Sequence, residues 1–149
     1  MAHAIQQVHD LVIAKVTGLT TTGANVFTGR VHPIERSEMP CLLVSTGDEA
    51  VSYETIGGPR AQRRDLTLEI DIVVSVNDTM ESLMNTVQLE VENALSADTK
   101  LGSSVFDVKY IGRNKFLSGD GEKQVGITRL NYSVPFEVLE NAPDTLLTT

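Results

Sequence analysis

The 149-residue chain predicts an α+β fold: a mainly antiparallel β-sheet with two α-helices packed on one face. Three observations point there. Only two segments carry apolar residues at helical spacing. The remaining ordered stretches have one apolar and one polar side, the pattern of a sheet covered on one face. The strands also come in runs, and do not alternate one for one with helices as a parallel α/β sheet requires.

The first helix spans residues 2 to 17, where Ile5, Val8, Leu11, Val12 and Val16 form a stripe, and it stops at Gly18, a residue suited to the left-handed conformation of a helix end. Turn-forming "TTTGAN" leads into a short strand, "VFTGRV", and Pro33 ends ladder pairing on one edge. "MPCLLVSTG" predicts a second strand, begun by Pro40 and stopped by Gly47. "EAVSYETI" predicts a third, at a sheet edge, before "GGP" breaks the chain.

From Leu66 the alternation is strong. Leu66, Leu68, Ile70, Ile72, Val74 and Val76 share one face, with Thr67, Glu69, Asp71 and Ser75 on the other and only Val73 out of pattern. This strand is expected to be the backbone of the sheet. In "NDTMESLMNTVQLEVENALSAD", Asp78 and Glu81 have capping-box spacing, and Met80, Leu83, Met84, Val87, Val91, Ala94 and Leu95 follow helical periodicity. "SVFDVKYIGR" predicts another strand, "NKFLSGDGEKQ" a mobile loop, and "ITRLNYSVPFEVLE" a long closing strand. Residues 139–149 are expected to be a flexible tail of this single domain.

Composition narrows the function classes. The chain carries 20 acidic and 12 basic residues, a net charge of −8, which disfavours general binding to nucleic acid through neutralised phosphates. The single cysteine, Cys41, lies in the apolar run "CLLV", so no disulfide forms within the chain and a buried, inert thiol is expected. The N-terminus has neither a basic segment nor an unbroken apolar block, so neither a signal peptide nor a membrane span is predicted, and a soluble, cytoplasmically made protein is expected.

No phosphate loop, dinucleotide fingerprint, zinc-protease motif, nucleophile elbow or CxxC pair is present. His3, His9 and His32 do not combine with Cys or clustered carboxylates into a metal site, and no cofactor is expected. Glu69 and Asp71 project from one face of the long strand, about 7 Å apart by strand geometry, a separation that two acid/base carboxylates of a small hydrolase use. The plainer reading pairs them across the sheet with Arg129 on the closing strand. Arg60, Arg63 and Arg64 fall within five residues and suggest a nucleic-acid adaptor, a solvated loop, or an arginine patch for an acidic protein surface. No aromatic residues interleave them, and Glu54 and Asp65 sit close by.

The order of these pieces resembles a known family. The helix ending "VTGL", then "NVFTGRVHPI", "MPCLLVSTGDEAV", "RRDLTLEIDIVV", "TMESLMNTVQLEVENAL" and "GITRLNYSVPFEV" are together similar to the tail terminator, or tail completion, proteins of long-tailed phages, the lambda U type, over roughly Ile5 to Val138. The resemblance implies a structural, non-enzymatic subunit of a hexameric ring at the head-proximal end of the virion tail. That ring caps the tail tube protein, stops its polymerisation and offers a surface to the head-neck connector protein, with DNA passing through the lumen without specific binding. Another head-tail joining or neck ring protein is the nearest alternative. On this resemblance the loops Thr55–Arg64 and Arg113–Gln124, with Arg60, Arg63, Arg64, Arg113, Lys115 and Lys123, are expected at interfaces, and Glu69 and Asp71 at the lumen.

Overall fold

The computed structural model describes residues 2–28, 39–76, 78–118 and 124–147. In chain order these form α1 (Ala4–Val16), β1 (Val26–Thr28), β2 (Cys41–Tyr53), β3 (Ala61–Ser75), α2 (Met80–Ser96), β4 (Lys109–Ser118) and β5 (Val125–Leu139). The strands make one sheet in the order β1-β2-β3-β5-β4. Only the three-residue β1–β2 pairing is parallel; the other three are antiparallel. This is the α+β architecture that the patterning predicts.

The strong alternation lies where it was expected. Leu66, Leu68, Ile70, Ile72 and Val74 of β3 are buried with Leu130, Tyr132, Val134, Phe136 and Val138 of β5. Ala4, Val8, Val12 and Val16 of α1 and Met84, Val87, Val91 and Leu95 of α2 close over the same side to form one core. Fully burying each of the larger side chains contributes about 1.5–3 kcal/mol. Val76, assigned to this face from the alternation, lies past the end of β3 and is exposed. Val73, which broke the pattern, is buried on the opposite side beside its register partner Cys41. Cys41 forms no disulfide and is fully buried, as predicted.

Helix α1 ends as its sequence suggests, with Gly18 at φ 87°. Its start is a histidine cap: the His3 Nδ1 accepts from the Ile5 amide at 3.1 Å. The expected capping box on α2 does not form. Thr79 occupies the cap position without a side-chain capping hydrogen bond to the first turn, and Asp78 is exposed outside the helix. A glycine sets how closely α2 lies on the sheet. A Cβ on Gly126 would fall 2.5 Å from Met80 Sδ and 2.6 Å from Met84 Cε, closer than side-chain carbons approach such atoms.

Four segments differ from the sequence reading. Gly47 does not stop a strand: "MPCLLVSTG" and "EAVSYETI" join into β2, and the chain absorbs Gly47 and Asp48 in an irregularity between Thr46 and Glu49. A bulge keeps the ladder going at the cost of one local kink. Arg63 and Arg64 are not in a loop; they extend β3, paired on both sides to β2 and β5. Residues 104–108 precede β4, whereas Asn114–Ser118, read as loop, are strand. Among the described residues, 139–147 are not a free tail. The Ala4 amide donates to the Pro143 carbonyl, the Leu147 amide to Glu137, and Leu146 packs on the core. Residues 29–31 of the predicted first strand, Pro33, and 119–123 of the predicted loop lie outside the described residues.

Pro135 sits inside β5 without breaking the sheet. Its carbonyl accepts from the Phe106 amide at 2.9 Å, so its nitrogen faces the same side, away from β3. The β4 ladder ends at Ser133, and the missing N–H therefore costs neither ladder a bond.

Candidate functional site

The polar face of β3 places Glu69 and Asp71 on the side away from the helices. Asp71 is flanked in register by Leu43 on β2 and Arg129 on β5. The Arg129 guanidinium grips it in two bonds, Nε to Oδ1 at 2.8 Å and Nη2 to Oδ2 at 3.1 Å, while Glu69 Oε2 stands 3.8 Å from the same Nε. The Asp71 hydrogen bonds raise the Arg129 pKa above its ordinary value, against opposing desolvation. The guanidinium also lies 5.5 Å from the Phe116 ring centroid. Of the two readings of this pair, the geometry takes the cross-sheet one with Arg129. Both Asp71 oxygens accept from it, and neither carboxylate lines a described groove.

The three arginines adjacent in sequence do not converge in space. The Arg60 backbone N–H and its Nε both hydrogen-bond the Glu140 carboxylate, at 3.1 and 3.0 Å, and its guanidinium covers the Tyr53 ring at 4.2 Å. Those bonds hold the Glu140 pKa below the usual carboxylate range, the backbone donor first and the side chain second, with burial opposing. Arg63 faces outward, 3.9 Å from Asp65 and over the Phe106 ring. Arg64 turns to the helix side, where Gln62 accepts from it at 2.8 Å and Glu49 at 3.5 Å. Strand alternation sends Arg63 and Arg64 to opposite faces, which disperses the patch inferred from the sequence.

Arg113 and Lys115 lie on β4, on the helix side of the edge. Arg113 donates to Gln88 at 2.9 Å and Lys115 pairs with Glu81 of α2. Lys123 and His32 lie outside the described residues. His9 is buried, its Nε2 3.0 Å from the Val44 carbonyl, and His3 caps α1; among the described residues no group of His, Cys, Asp or Glu could hold a metal ion. No helix of the described chain is long and apolar enough to cross a membrane.

Two grooves border the helices. One, of about 570 Å³, lies between α1 and the C-terminal segment, lined by Gln7, Asp10, Leu11, Ser104, Thr145 and Leu146. The other, of about 370 Å³, lies between α2 and the sheet beside Glu92, Tyr110 and Tyr132. The Tyr132 hydroxyl there is buried without a hydrogen-bond partner among the described residues, and burial first, then Glu92 and Tyr110, push its pKa up. In the first groove none of the described hydrogen bonds joins the Asp10 carboxylate to the Ser104 or Thr145 hydroxyl: Asp10 accepts from Gln6 and Thr145 donates to Asp144.

What the sequence did not reveal is an uneven distribution of exposed apolar side chains. The β2–β3 hairpin carries Val51 and Tyr53, with Ile56 fully exposed at its turn. On the far side of the sheet, β4 carries Tyr110, Ile111, Phe116 and Leu117, also exposed. Ile56 stands in a Gly-rich turn, and Ile111 is the extra residue where the β4 register shifts between Tyr110 and Gly112. Neither position has a sheet neighbour to bury it.

No family model matches the chain, and no curated protein matches it. Among solved structures, a chain of a structure described as the virion of a native gene transfer agent (GTA) particle is similar over 91% of this chain and 92% of its own, at 14% identity and a TM-score of 0.48.

Proposed function

We propose that the chain is a structural subunit of a phage-type virion, a tail terminator whose copies form a ring, hexameric in the closed form, on the finished tail tube. The observation that carries this reading is that exposed apolar side chains sit toward both ends of the sheet, Val51, Tyr53 and Ile56 on and after β2 and Ile111, Phe116 and Leu117 along β4. A ring needs two different patches on each subunit, so that each copy meets the next head to tail. A single patch would produce a closed dimer instead.

The sequence resemblance over Ile5 to Val138 supplies the terminator role: the ring stops addition of tube protein and offers its other side to the head-neck connector. The Asp71–Arg129 pair, with Glu69 beside it, is consistent with a lumen-facing surface. One guanidinium against two carboxylates leaves a net negative charge there, which repels DNA phosphates and limits sticking during passage. The reading is non-enzymatic, in keeping with carboxylates and arginines that are engaged with each other.

The direct test adds the purified chain to polymerising tail tubes and measures tube length by electron microscopy. Capped tubes of arrested length with a terminal ring are expected. Tubes that continue to elongate at saturating protein would overturn the terminator role.

A further inference from the structure

We infer that successive copies join by strand pairing, the hairpin half of β2 in one copy adding to β4 of the next. The inference deepens the ring reading and rests on it only for closure into a ring. Three independent features of the sheet meet in it.

The first is which backbone is left open. Strand β1 covers β2 only at Leu42–Val44, so among the described residues β2 has no outer partner from Ser45 to Tyr53, and β4, ten residues long, has none on its outer side. Unpaired edges carry rows of N–H and C=O groups that pair readily with another chain.

The second is charge. The β2 edge and its turn carry Asp48, Glu49 and Glu54, whereas β4 carries Lys109, Arg113 and Lys115. Glu49 is tied to Arg64 and Lys115 to Glu81. Asp48, Glu54 and Lys109 are engaged by no other described side chain, and the Arg113 contacts described, Asn85 and Gln88, are uncharged. Pairing β4 with a second β4 sets like charges opposite each other, as does β2 with β2. The mixed pair sets opposite charges together, and so favours head-to-tail joining over a twofold dimer.

The third is stagger. Through the registers, β4 lies level with β3 from Thr67 to Ser75, whereas the open part of β2 lies level with β3 from about Gln62 to Glu69. Bringing one against the other displaces each copy by about six residues along the strands, roughly 20 Å at ~3.3 Å per residue, across four strand spacings of ~4.8 Å. The resulting tilt is about 45°, at the upper end of the 35–45° of closed sheets. Strands β2 and β4 run in opposite senses within one subunit, so copies related by rotation about a ring axis pair them antiparallel. The register then sets Val51 close to Ile111 of the next copy, both exposed in the single subunit.

The test is a cysteine pair, Val51→Cys with Ile111→Cys, oxidised at concentrations where the parent chain's mass is measured in parallel. A ladder of disulfide-linked species ending at one closed size is expected, with each single variant giving none beyond traces and a mixture of the two singles giving linked dimers. A second arm reverses charge: Asp48→Lys with Glu54→Lys, or Lys109→Glu with Arg113→Glu, should each abolish assembly, and mixing the two should restore alternating copies. An oligomer that forms without the cross-link and ignores both charge reversals overturns the edge pairing and leaves the ring reading standing. A parent chain that stays monomeric at every concentration overturns both.

Discussion

Arg129 and Asp71 face each other directly across the β3–β5 ladder, and the guanidinium holds both oxygens of the carboxylate. The pair braces two strands across the polar side of the sheet. Asp71 is only 9% exposed, so losing its cation leaves a poorly hydrated charge. Arg129→Ala is expected to cost about 1–3 kcal/mol, measured by urea denaturation. Asp71→Asn, which keeps an acceptor oxygen, should cost less.

Stability should fall in acid in a defined window. Lys15 and the Gly102 amide hold the Asp98 pKa below its ordinary value, in that order, with desolvation opposing, and Glu140 is likewise depressed by Arg60. A carboxyl whose folded pKa lies below its unfolded one stabilises the fold above the unfolded value, about 4. That contribution is lost as pH drops through the folded value. The melting temperature should therefore decline below about pH 4, and Asp98→Asn with Glu140→Gln should lower it at pH 7 while flattening the decline.

Gly126→Val should destabilise the fold by overpacking, about 1–3 kcal/mol, because α2 rests Met80 and Met84 where the new side chain must go. Met80 is partly buried at the rim of the core, so Met80→Ala in the same chain should recover part of the loss. Thermal melts of the single and double variants check this.

The arginines should separate by strand face. Arg64→Ala removes a side chain anchored by Gln62 and Glu49 and should lower stability by about 1 kcal/mol. Arg63→Ala, whose described carboxylate partner is 3.9 Å away, should fall within about 0.5 kcal/mol of the parent. Equal and large losses at both sites would contradict the assignment of faces.

The core was legible because period-two alternation from Leu66 to Val74 and the helical stripes of α1 and α2 record burial directly. The Asp71–Arg129 pairing was legible too, since opposite charges on two strong strands suggest a cross-strand partner. Strand ends were not. "QRR" has little apolar content, yet it is strand because β2 and β5 both supply ladder bonds to it. "NKFLS" reads as turn but pairs along β5. Gly47 looks like a stop, and only the tertiary partner shows that it sits in an irregular ladder facing Thr67. The C-terminal residues were expected to be a flexible tail, and their anchoring is largely backbone hydrogen bonding, which no side-chain pattern records. The apolar edges escaped because exposure is a property of the assembled sheet.

The proposed closed ring is read out by the mass of the purified chain across a concentration series, by sedimentation velocity with negative-stain imaging. A single species near six times the 16.2 kDa chain is expected, annular in projection, with no even-numbered ladder starting from a stable dimer. A strict monomer throughout the series, or a dimer that grows no further, would contradict it.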